Sequence, residues 1–351
     1  MRDDTFASAL LDQMRWAPGI ILDPSSRIVV ISDLHMGDGS GNDDLRRNGE
    51  LLGSVLEKYY FDRGFTLLLN GDIEDLQKFR LAKIRAAWRG LFAVFDRFAR
   101  EGRLYKIYGN HDEGLLEEAR YPYTLHTGVR LGWGPRTLYV FHGHQASSFL
   151  VKHNDLSGAI VRYVLHTLRI RNRSPSEDSV RRYRVERRIY AFSRLRGVVS
   201  IIGHTHRPLF ESLSKYDRLR FEIERLCAEY SLSGGERKAE IADTVELYKE
   251  EFLRMGRKER RQGRSRSLYG SELLLPCLFN SGCAVGKKGL TSIEIEGGRI
   301  ALAYWCEEGK EKRYLEREAG PAERLGEGPF IRARVGNQAL DGVFARMDLL
   351  S

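Results

Sequence analysis

Five short polar motifs, each placed directly after a run of apolar residues, constrain the fold of this 351-residue chain more than any other feature. The first is Asp33-Leu34-His35, which follows the apolar run 28–31. The others are Gly71-Asp72-Ile73-Glu74-Asp75, Gly109-Asn110-His111-Asp112, His142-Gly143-His144 and Gly203-His204-Thr205-His206. A single D-x-H after a strand is more often a plain loop. Five such strand ends in one chain indicate one shared site.

The strands that carry the first three motifs alternate with helices along the first third of the chain. Apolar runs predict strands at 27–32, 65–69 and 104–108. Apolar residues at helical spacing predict helices at 3–16, 45–60 and 78–100. This order predicts a layered α/β domain in which the carboxyl ends of the strands gather at one edge, where ligands bind.

The remaining strands indicate a mixed sheet. Two short apolar runs, at 129–131 and 138–141, lie close enough in sequence to form a hairpin, and a further strand is predicted at 198–202. Closing strands are predicted at 273–280, 290–294 and 299–305, the last two joined by the tight Gly297-Gly298 turn.

These elements divide the chain into a core domain with additions. We predict an N-terminal helical extension at 1–25 and a core domain at 26–306, followed by a C-terminal tail at 307–351 whose pattern predicts no structure. Two helical insertions interrupt the core domain, a basic lid at 147–197 and a helical hairpin at 214–272.

Most of the net positive charge of the protein lies in the first insertion. Residues 147–197 contain twelve Lys/Arg and four Asp/Glu, a balance of +8 within a chain of net charge +9. The first half also carries an apolar stripe at helical spacing, formed by Phe149, Leu156, Ile160, Val164 and Leu168. Such a stripe favours packing onto the domain, with contact to lipid as the alternative. A serine and a proline, Ser174-Pro175, predict the start of the second helix.

Composition restricts the setting of the protein. Lys+Arg exceed Asp+Glu by nine and the pI is about 9.3, which permits binding to phosphates, nucleic acid or acidic lipid headgroups. The four cysteines have no CxxC spacing, so we expect reduced thiols and a cytoplasmic location. No apolar stretch reaches the roughly 20 residues needed to span a bilayer, and no secretory leader is evident. Peripheral contact with the inner surface of a membrane stays open.

The motif side chains form a set of nitrogen and oxygen ligands without a thiolate. The candidates are Asp33, His35, Asp72, Asn110, His142, His204 and His206. Such a set suits manganese, iron or zinc as a catalytic rather than a structural metal. Seven ligands exceed what one ion needs, but they divide into two four-ligand sets if one carboxylate bridges. Two ions about 4 Å apart are suited to displacement at phosphorus, which predicts phosphoester hydrolysis.

In order and spelling, the motifs resemble the calcineurin-like metallophosphoesterase superfamily. Its pattern is D-x-H, G-D-x-x-D, G-N-H-D/E, H-G and G-H-x-H, and all five parts are present between residues 33 and 206. The resemblance implies a four-layer α/β/β/α sandwich with mixed sheets and two divalent metal ions, with manganese expected and iron or zinc as alternatives.

The resemblance also implies a role for each motif residue. Asp33, His35 and His206 would hold the first metal, Asp72 would bridge, and Asn110, His142 and His204 would hold the second. His111 would act on the transition state or the leaving oxygen, with Asp75 as the carboxylate that orients its ring. His144 could orient His142 or contact substrate. Arg207 could bind a phosphate oxygen or pair with an acidic side chain.

In motif spelling the chain is most similar to bacterial UDP-2,3-diacylglucosamine pyrophosphatases, which use a helical insertion as a lid over acyl chains. Ser32-Asp33-Leu34-His35 and Gly203-His204-Thr205-His206-Arg207-Pro208 carry this similarity. The chain departs from that family at three places: it has His111 where an arginine is common, His144 where an aspartate is common, and a second insertion.

We therefore expect a metal-dependent hydrolase that cuts a phosphodiester or pyrophosphate bond by attack of a metal-activated hydroxide. A lipid-linked UDP-sugar is one substrate option. The alternatives are a phosphomonoesterase or protein phosphatase, or a nuclease whose basic insertions hold a polyanion, although nucleic acid is the less favoured partner. A non-catalytic scaffold is disfavoured because no ligand of the pattern is missing. His126, His153 and His166 are interpreted as structural.

Overall fold

Two β-sheets packed face to face form the centre of the protein in the computed structural model, which describes residues 2–147, 179–255, 274–286, 289–310 and 322–351. The first sheet has eight strands in the order β12-β13-β11-β10-β2-β3-β4-β5, and the second has five in the order β1-β6-β7-β8-β9. The strands are β1 (Gly19–Leu22), β2 (Arg27–Ile31), β3 (Thr66–Asn70), β4 (Leu104–Ile107), β5 (Leu125–His126), β6 (Gly128–Trp133), β7 (Arg136–Phe141), β8 (Val199–Ile202), β9 (Leu278–Asn280), β10 (Leu290–Glu296), β11 (Arg299–Glu307), β12 (Glu323–Arg324) and β13 (Phe330–Ala339).

Helices cover the outer faces of the sheets. The α-helices are α1 (Arg2–Trp16), α2 (Gly49–Val55), α3 (Leu81–Ala87), α4 (Arg89–Arg100), α5 (Ser179–Arg196), α6 (Lys215–Leu232), α7 (Gly235–Arg254) and α8 (Leu340–Leu350). A π-helix, Leu56–Phe61, continues α2, and short 3-10 helices lie at Glu113–Glu117 and His144–Ala146. The architecture is a mixed α/β fold with two sheets, as the sequence predicted.

Successive side chains of β2 point into two different hydrophobic cores, one on each face of the first sheet. Ile28 and Val30 point into the core between the sheets, where they pack with residues such as Leu68 and Val140. Their neighbours Val29 and Ile31 point the other way, into a core shared with α2, the π-helix and α4. Because side chains alternate along a strand, a strand buried on both faces reads as a continuous apolar run. The apolar run of β2 leads directly into the motif that contains Asp33 and His35.

Strand directions bring the motifs together. β2, β3, β4 and β5 are parallel neighbours in the first sheet, and β7, β8 and β9 are parallel neighbours in the second. The β6–β7 pair is the antiparallel hairpin that the sequence predicted. Since parallel strands end at the same edge, all five motif loops open on one side of the sandwich.

The predicted helix 78–100 is wrong as a single element, because Trp88 divides it into α3 and α4. The Trp88 indole N–H donates to the Asp43 carboxylate, 2.8 Å away. Its ring lies over Gly49, where any Cβ would overlap it. The ring therefore occupies the space between the two helices and α2, and the chain turns at this residue with φ −108° and ψ 26°.

The C-terminal segment, for which the sequence pattern predicted no structure, contains β12, β13 and α8. β13 pairs antiparallel with β11 through most of its length. Arg332 of β13 is buried and forms a two-pronged ion pair with Glu294 of β10. The segment thus completes the first sheet. At the other end of the chain, β1 pairs with β6 and extends the second sheet.

The insertions are described in part. From 147–197 the structure describes α5, whereas the predicted first helix with its apolar stripe and the predicted Ser174-Pro175 start lie outside the described residues. From 214–272 it describes α6 and α7, whose seam residues Leu219, Leu226, Ile241 and Tyr248 pack together. The four cysteines are free thiols, as expected. Among the described helices, none is long and apolar enough to cross a membrane.

Candidate metal centre

Hydrogen bonds between neighbouring loops fix the first two motifs to each other. The backbone N–H of Asp33 donates to the carbonyl of Gly71 at 3.0 Å, and that of His35 donates to the carbonyl of Asp72 at 3.0 Å. The loops after β2 and β3 therefore run side by side beyond the end of the sheet, which turns the side chains of Asp33, His35 and Asp72 toward a common centre.

Five of the seven candidate ligands have a left-handed backbone conformation. The φ angles are 54° at Asp33, 48° at His35, 53° at Asp72, 65° at His204 and 53° at His206. Non-glycine residues rarely adopt positive φ, and the strain of about 1–3 kcal/mol per residue persists only where surrounding contacts fix it. Concentration of this strain at the motif residues marks the loops as a functional site.

Two motif glycines permit the close approach of the loops. A Cβ on Gly109 would overlap the carboxylate of Asp72 and the ring of His142. A Cβ on Gly203 would overlap Ser32 and the carboxylate of Asp33. Glycine at both positions is therefore required for the ligand side chains to converge.

The first group of candidate ligands consists of Asp33, His35 and His206, whose ligand atoms lie within 4.8 Å of one another. The Nε2 atom of His206 lies 3.1 Å from Oδ1 of Asp33. It also lies 3.0 Å from Nε2 of His35. Both His35 and Asp33 are almost fully buried. Two imidazoles and a carboxylate that converge at such distances are the donor set of a divalent metal.

The second group consists of Asp72, His142 and His204, again with ligand atoms within 4.8 Å of one another. Oδ2 of Asp72 lies 3.1 Å from Nε2 of His142. The same oxygen lies 3.9 Å from Nε2 of His35 in the first group. One carboxylate thus lies between the two groups, at the place of the predicted bridge.

Several buried donors and acceptors of this cluster have no hydrogen-bond partner among the described residues. They are both ring nitrogens of His204, Nδ1 of His35 and Oδ1 of Asn110. Burying polar atoms without a partner is unfavourable. Coordination of a divalent cation by Oδ1 of Asn110 and by one ring nitrogen of His204 would remove part of that cost. The residues therefore fit a pair of divalent metals in number, chemistry and burial.

Backbone contacts orient two of the ligands. His142 is held through Nδ1, which lies 2.8 Å from the carbonyl oxygen of Asn70, so that Nε2 faces Asp72. Asp72 itself accepts a hydrogen bond from the backbone N–H of His111 through Oδ1, at 2.8 Å. A hydrogen bond donated by the ring nitrogen opposite the metal-facing one is the usual way of fixing the tautomer of a ligating histidine.

The electrostatics of the site separates the histidines into two classes. Burial, reinforced by the neighbouring His206, lowers the pKa of His35 to about 4. Burial and the nearby His142 also lower the pKa of His204. For His142 burial acts in the same direction, but the Asp72 carboxylate outweighs it and raises the pKa to about 9. Burial raises the pKa of Asp72, but the nearby His142 and His111 outweigh it and the pKa is lowered. An ionised carboxylate beside the neutral rings of His35 and His204 favours the binding of a cation.

The predicted catalytic pair forms a direct contact. Nδ1 of His111 lies 3.0 Å from Oδ1 of Asp75, while Nε2 is buried without a hydrogen-bond partner among the residues described. Lys78 contacts the other oxygen of Asp75 at 3.0 Å. Although burial lowers the pKa of His111, the carboxylates of Asp72 and Asp75 outweigh it and raise the pKa above its ordinary value. The two carboxylates therefore favour the protonated form of His111.

The two residues predicted to bind substrate have different surroundings. His144 is buried beside His142 and His204, with ring centroids 5.5 and 6.3 Å away. Since Asn70 holds His142, His144 is not needed to orient it. Arg207 forms a two-pronged ion pair with the buried carboxylate of Glu186. Of the two interpretations given for Arg207, the structure has the salt bridge.

Sequence reasoning missed the buried residues that support the ligand loops. Lys106 of β4 is fully buried, with its ammonium 2.8 Å from Glu74 and 2.5 Å from Asp112. Asp112 in turn accepts hydrogen bonds from the backbone N–H groups of Ile73 and Gly109, at 2.9 and 2.5 Å. The sequence does contain one indication of this network. Lys106 is a single lysine within the apolar run 104–108, and the adjacent motifs contain carboxylates, Glu74 and Asp112, that were not assigned as ligands.

Comparisons with known proteins agree with the motif pattern. The family model described as calcineurin-like phosphoesterase matches residues 26–234, more than half of the chain. None of the curated proteins matches the chain.

Solved structures resemble the chain only distantly. Yfce, a phosphoesterase from E. coli, is 12% identical with a TM-score of 0.33 over 78% of this chain and 91% of its own. Vacuolar Protein Sorting 29 from Cryptosporidium parvum is 11% identical with a TM-score of 0.34, over 82% and 95%. A dimetal phosphatase from Danio rerio is 13% identical with a TM-score of 0.33, over 80% and 96%. These TM-scores are too low to support an argument. The family match and the ligand geometry lead to one conclusion: the chain belongs to the calcineurin-like phosphoesterase family.

Proposed function

We propose that the protein is a dinuclear metal-dependent hydrolase of phosphodiester or pyrophosphate bonds. The observation that carries this proposal is the position of Asp72. Its Oδ2 atom lies 3.1 Å from His142 in one ligand group and 3.9 Å from His35 in the other. A carboxylate between two histidine-rich groups supports two cations that share one ligand.

Each ligand group would hold one cation. Asp33, His35 and His206 would hold the first, while His142, His204 and Asn110 would hold the second, with Asp72 shared. When bound, two divalent cations neutralise negative charge on phosphoryl oxygens and lower the pKa of water. Manganese is the metal we propose, because hard oxygen donors and imidazoles share the site and no thiolate is among them.

His111 would donate a proton to the leaving group. Its Nδ1 faces Asp75, which fixes the ring and favours the protonated form. The proton available for transfer is then the one on Nε2, the nitrogen without a hydrogen-bond partner among the described residues. A protonated imidazole beside the ligand cluster can also hydrogen-bond to the phosphoryl oxygens. Both actions assist departure of an alkoxide or phosphate leaving group.

His144 supports a polar rather than an ionic contact with substrate. Burial, followed by the charge on His142, lowers the pKa of His144 to about 3. Its ring is therefore neutral at physiological pH, and Nδ1 is buried without a partner among the residues described. Such a nitrogen can accept a hydrogen bond from a hydroxyl or amide group of the substrate. This chemistry fits a sugar nucleotide, and a lipid-linked UDP-sugar remains the specific substrate we propose to test.

The first test compares a chromogenic phosphodiester with the matching monoester at one enzyme concentration, with and without Mn²⁺. We expect Mn²⁺-dependent cleavage with the diester hydrolysed faster. The matched control is Asp72→Asn, which keeps the size of the bridging side chain but removes its charge, and should abolish both activities. Faster cleavage of the monoester would contradict the diester assignment and favour a phosphatase.

A second candidate function, a nuclease, is favoured by one observation. Helix α5 carries seven arginines and a single acidic residue, Glu186, which is already paired with Arg207. A polyanion that binds such a helix releases counterions, so its apparent affinity falls steeply with salt. The effect is large between about 50 and 200 mM salt. Oligonucleotide binding whose affinity falls by less than about a factor of two over this range would exclude this function.

A further inference from the structure

A buried carboxylate outside the five motifs contacts the loop that carries two of the ligands. Glu186 lies on α5 and is fully buried. Its Oε1 atom accepts a hydrogen bond from the hydroxyl of Thr205 at 2.7 Å. The same oxygen accepts from Nε of Arg207 at 3.2 Å, and Oε2 pairs with Nη2 of Arg207.

Thr205 lies between the candidate ligands His204 and His206, so a contact that fixes its hydroxyl also restrains the backbone of both histidines. This hydroxyl also accepts a hydrogen bond from the side-chain amide of Asn280 at 2.9 Å. The same amide donates to the carbonyl of Gly203 at 3.0 Å. Glu186 and Asn280 therefore hold the loop through contacts that use none of the candidate ligand side chains.

The loop needs such support because its backbone is strained. His204 and His206 both have positive φ, at 65° and 53°, and non-glycine residues keep this conformation only where the surroundings determine it. On the ligand side, the backbone N–H of His204 donates to the carboxylate of Asp33 at 2.9 Å. Asp33 would itself be engaged by a metal, so the contacts of Glu186 and Asn280 are the part of the support that does not depend on metal.

We propose that Glu186 is a positioning residue that holds His204 and His206 in their ligand-binding conformation and thereby ties metal affinity to the basic helix α5. The inference rests on the proposed function, since it presumes that these histidines bind metal. A carboxylate is required because three donors, the Thr205 hydroxyl and two guanidinium N–H groups, converge on it. An amide would direct its own N–H₂ group at one of these donors.

The test is the affinity of purified full-length protein for Mn²⁺, measured by titration calorimetry, which does not depend on turnover. For Glu186→Gln we expect the dissociation constant to rise by about 10- to 100-fold, the range typical for residues that orient metal ligands. An unchanged dissociation constant would overturn the inference.

Glu294→Gln is the matched control, because Glu294 is also buried and also forms a two-pronged ion pair, with Arg332. This pair joins β10 to β13, and among the described residues Glu294 hydrogen-bonds to Arg332 and Tyr60 rather than to a ligand loop. We expect a lower Tm with an unchanged dissociation constant for Mn²⁺. Equal weakening of Mn²⁺ binding in the two variants would show that general destabilisation, not positioning, is responsible.

Two substitutions of Thr205 give a conservative rescue. Thr205→Val removes the hydroxyl while keeping the shape and should weaken Mn²⁺ binding, whereas Thr205→Ser keeps the hydroxyl and should restore it to within about threefold of wild type. Equal affinities of the two variants would contradict the role of Glu186 through Thr205.

The wild-type protein separates this inference from the proposed function. Tight Mn²⁺ binding without cleavage of any phosphoester would contradict the proposed function, and the effect of Glu186→Gln on affinity would still decide the inference. Failure of the wild-type protein to bind any divalent metal would overturn both.

Discussion

Histidines in this site have the same side chain but opposite acid–base behaviour, and their neighbours explain the difference. His111 and His142 face carboxylates of Asp75 and Asp72, so their pKa values rise despite burial. His35 and His144 are buried chiefly beside other imidazoles, and their pKa values fall to about 4 and about 3. At the level of single residues, the neutral rings of His35 and His144 suit coordination or hydrogen bonding, and the carboxylate-paired His111 suits proton donation. His142, a candidate ligand, would have to lose its proton to bind a metal.

Replacing His111 with alanine is the residue-scale prediction. We expect turnover of the preferred phosphoester to fall by about 10²-fold or more, the typical effect of losing a positioned acid or base. Mn²⁺ affinity should stay within about threefold of wild type, because the imidazole is not among the proposed ligands. Steady-state kinetics and Mn²⁺ titration calorimetry measure the two quantities.

His126→Ala is the matched control for His111→Ala. His126 is a half-buried histidine on β5, and its ring centroid lies 5.9 Å from that of Tyr105. Its contact with the strand that leads to Asn110 is made by its backbone carbonyl, which accepts from the N–H of Tyr108 and is retained in alanine. Its replacement should leave turnover unchanged. Wild-type turnover in His111→Ala would remove His111 from the mechanism.

Single residues of the site differ in how far the sequence could predict them. The convergence of Asp33, His35 and His206 was predictable because each belongs to a short motif at a strand end. Glu186 was not, since it lies in an arginine-rich helix where an isolated glutamate has no pattern. Its role depends on contact with Thr205, 19 positions later in the chain. Residue type also does not predict the positive φ values of the candidate ligands, because none of those residues is a glycine.

At the scale of elements, β4 connects the ligand loops through one buried side chain. Lys106 pairs with Glu74 from the loop after β3 and with Asp112 from the loop after β4 itself. Burial raises the pKa of Asp112, but Lys106 outweighs it and the pKa is lowered. The hydroxyl of Tyr121 closes the network on Glu74 at 2.6 Å. The loop that carries Asp72 is therefore fastened to the loop that carries Asn110.

Lys106→Met is the prediction for this network. It leaves two buried carboxylates without their counter-ion, so we expect the free energy of unfolding to fall by about 3–5 kcal/mol. Urea unfolding at pH 7 measures the change. The double variant Lys106→Met with Glu74→Gln should recover part of the loss, because it removes one of the two uncompensated charges.

Lys58→Met is the control for Lys106→Met. Lys58 is exposed on the π-helix, and its replacement should change the free energy of unfolding by less than about 0.5 kcal/mol. A loss of under about 1 kcal/mol in Lys106→Met would show that Lys106 is not required by the buried carboxylates.

Elements were predictable where hydrophobic periodicity alone determines them. β2, β3 and β4 followed from continuous apolar runs, and the boundaries agree within one or two residues. The division of 78–100 into α3 and α4 was not predictable, because it depends on where the Trp88 ring packs. β13 was missed because Arg332 and Arg334 interrupt its alternation, and the burial of Arg332 depends on the distant partner Glu294.

For the whole molecule, the buried neutral histidines predict a loss of stability in acid. In the unfolded chain a histidine titrates near pH 6.5, whereas in the folded protein His35 and His144 titrate near 4 and 3. Between pH 6.5 and 4 the unfolded chain thus binds more protons. Stability of the metal-free protein should fall as pH falls through this window, by on the order of 2–3 kcal/mol for each histidine. Urea unfolding after dialysis against a chelator, repeated from pH 7 to 4, measures the slope.

His144→Asn isolates one contribution to this slope. Asparagine is polar and of similar size but does not titrate, so the variant should lose less stability between pH 6.5 and 4 than the wild-type protein does. Identical slopes for the two proteins would show that His144 is not buried in its neutral form.

The order of strands in the first sheet has a consequence for the synthesis of the protein. β2, which leads into Asp33 and His35, has β3 on one side and β10 on the other. All the candidate ligands have been translated by residue 206, whereas β10 begins at Leu290. At about 5–20 residues per second, a ribosome needs several seconds more before β2 can acquire its second neighbour. During that interval the nascent chain carries every candidate ligand while one edge of β2 is open, so we expect a stable metal site to form only after β10 has been added.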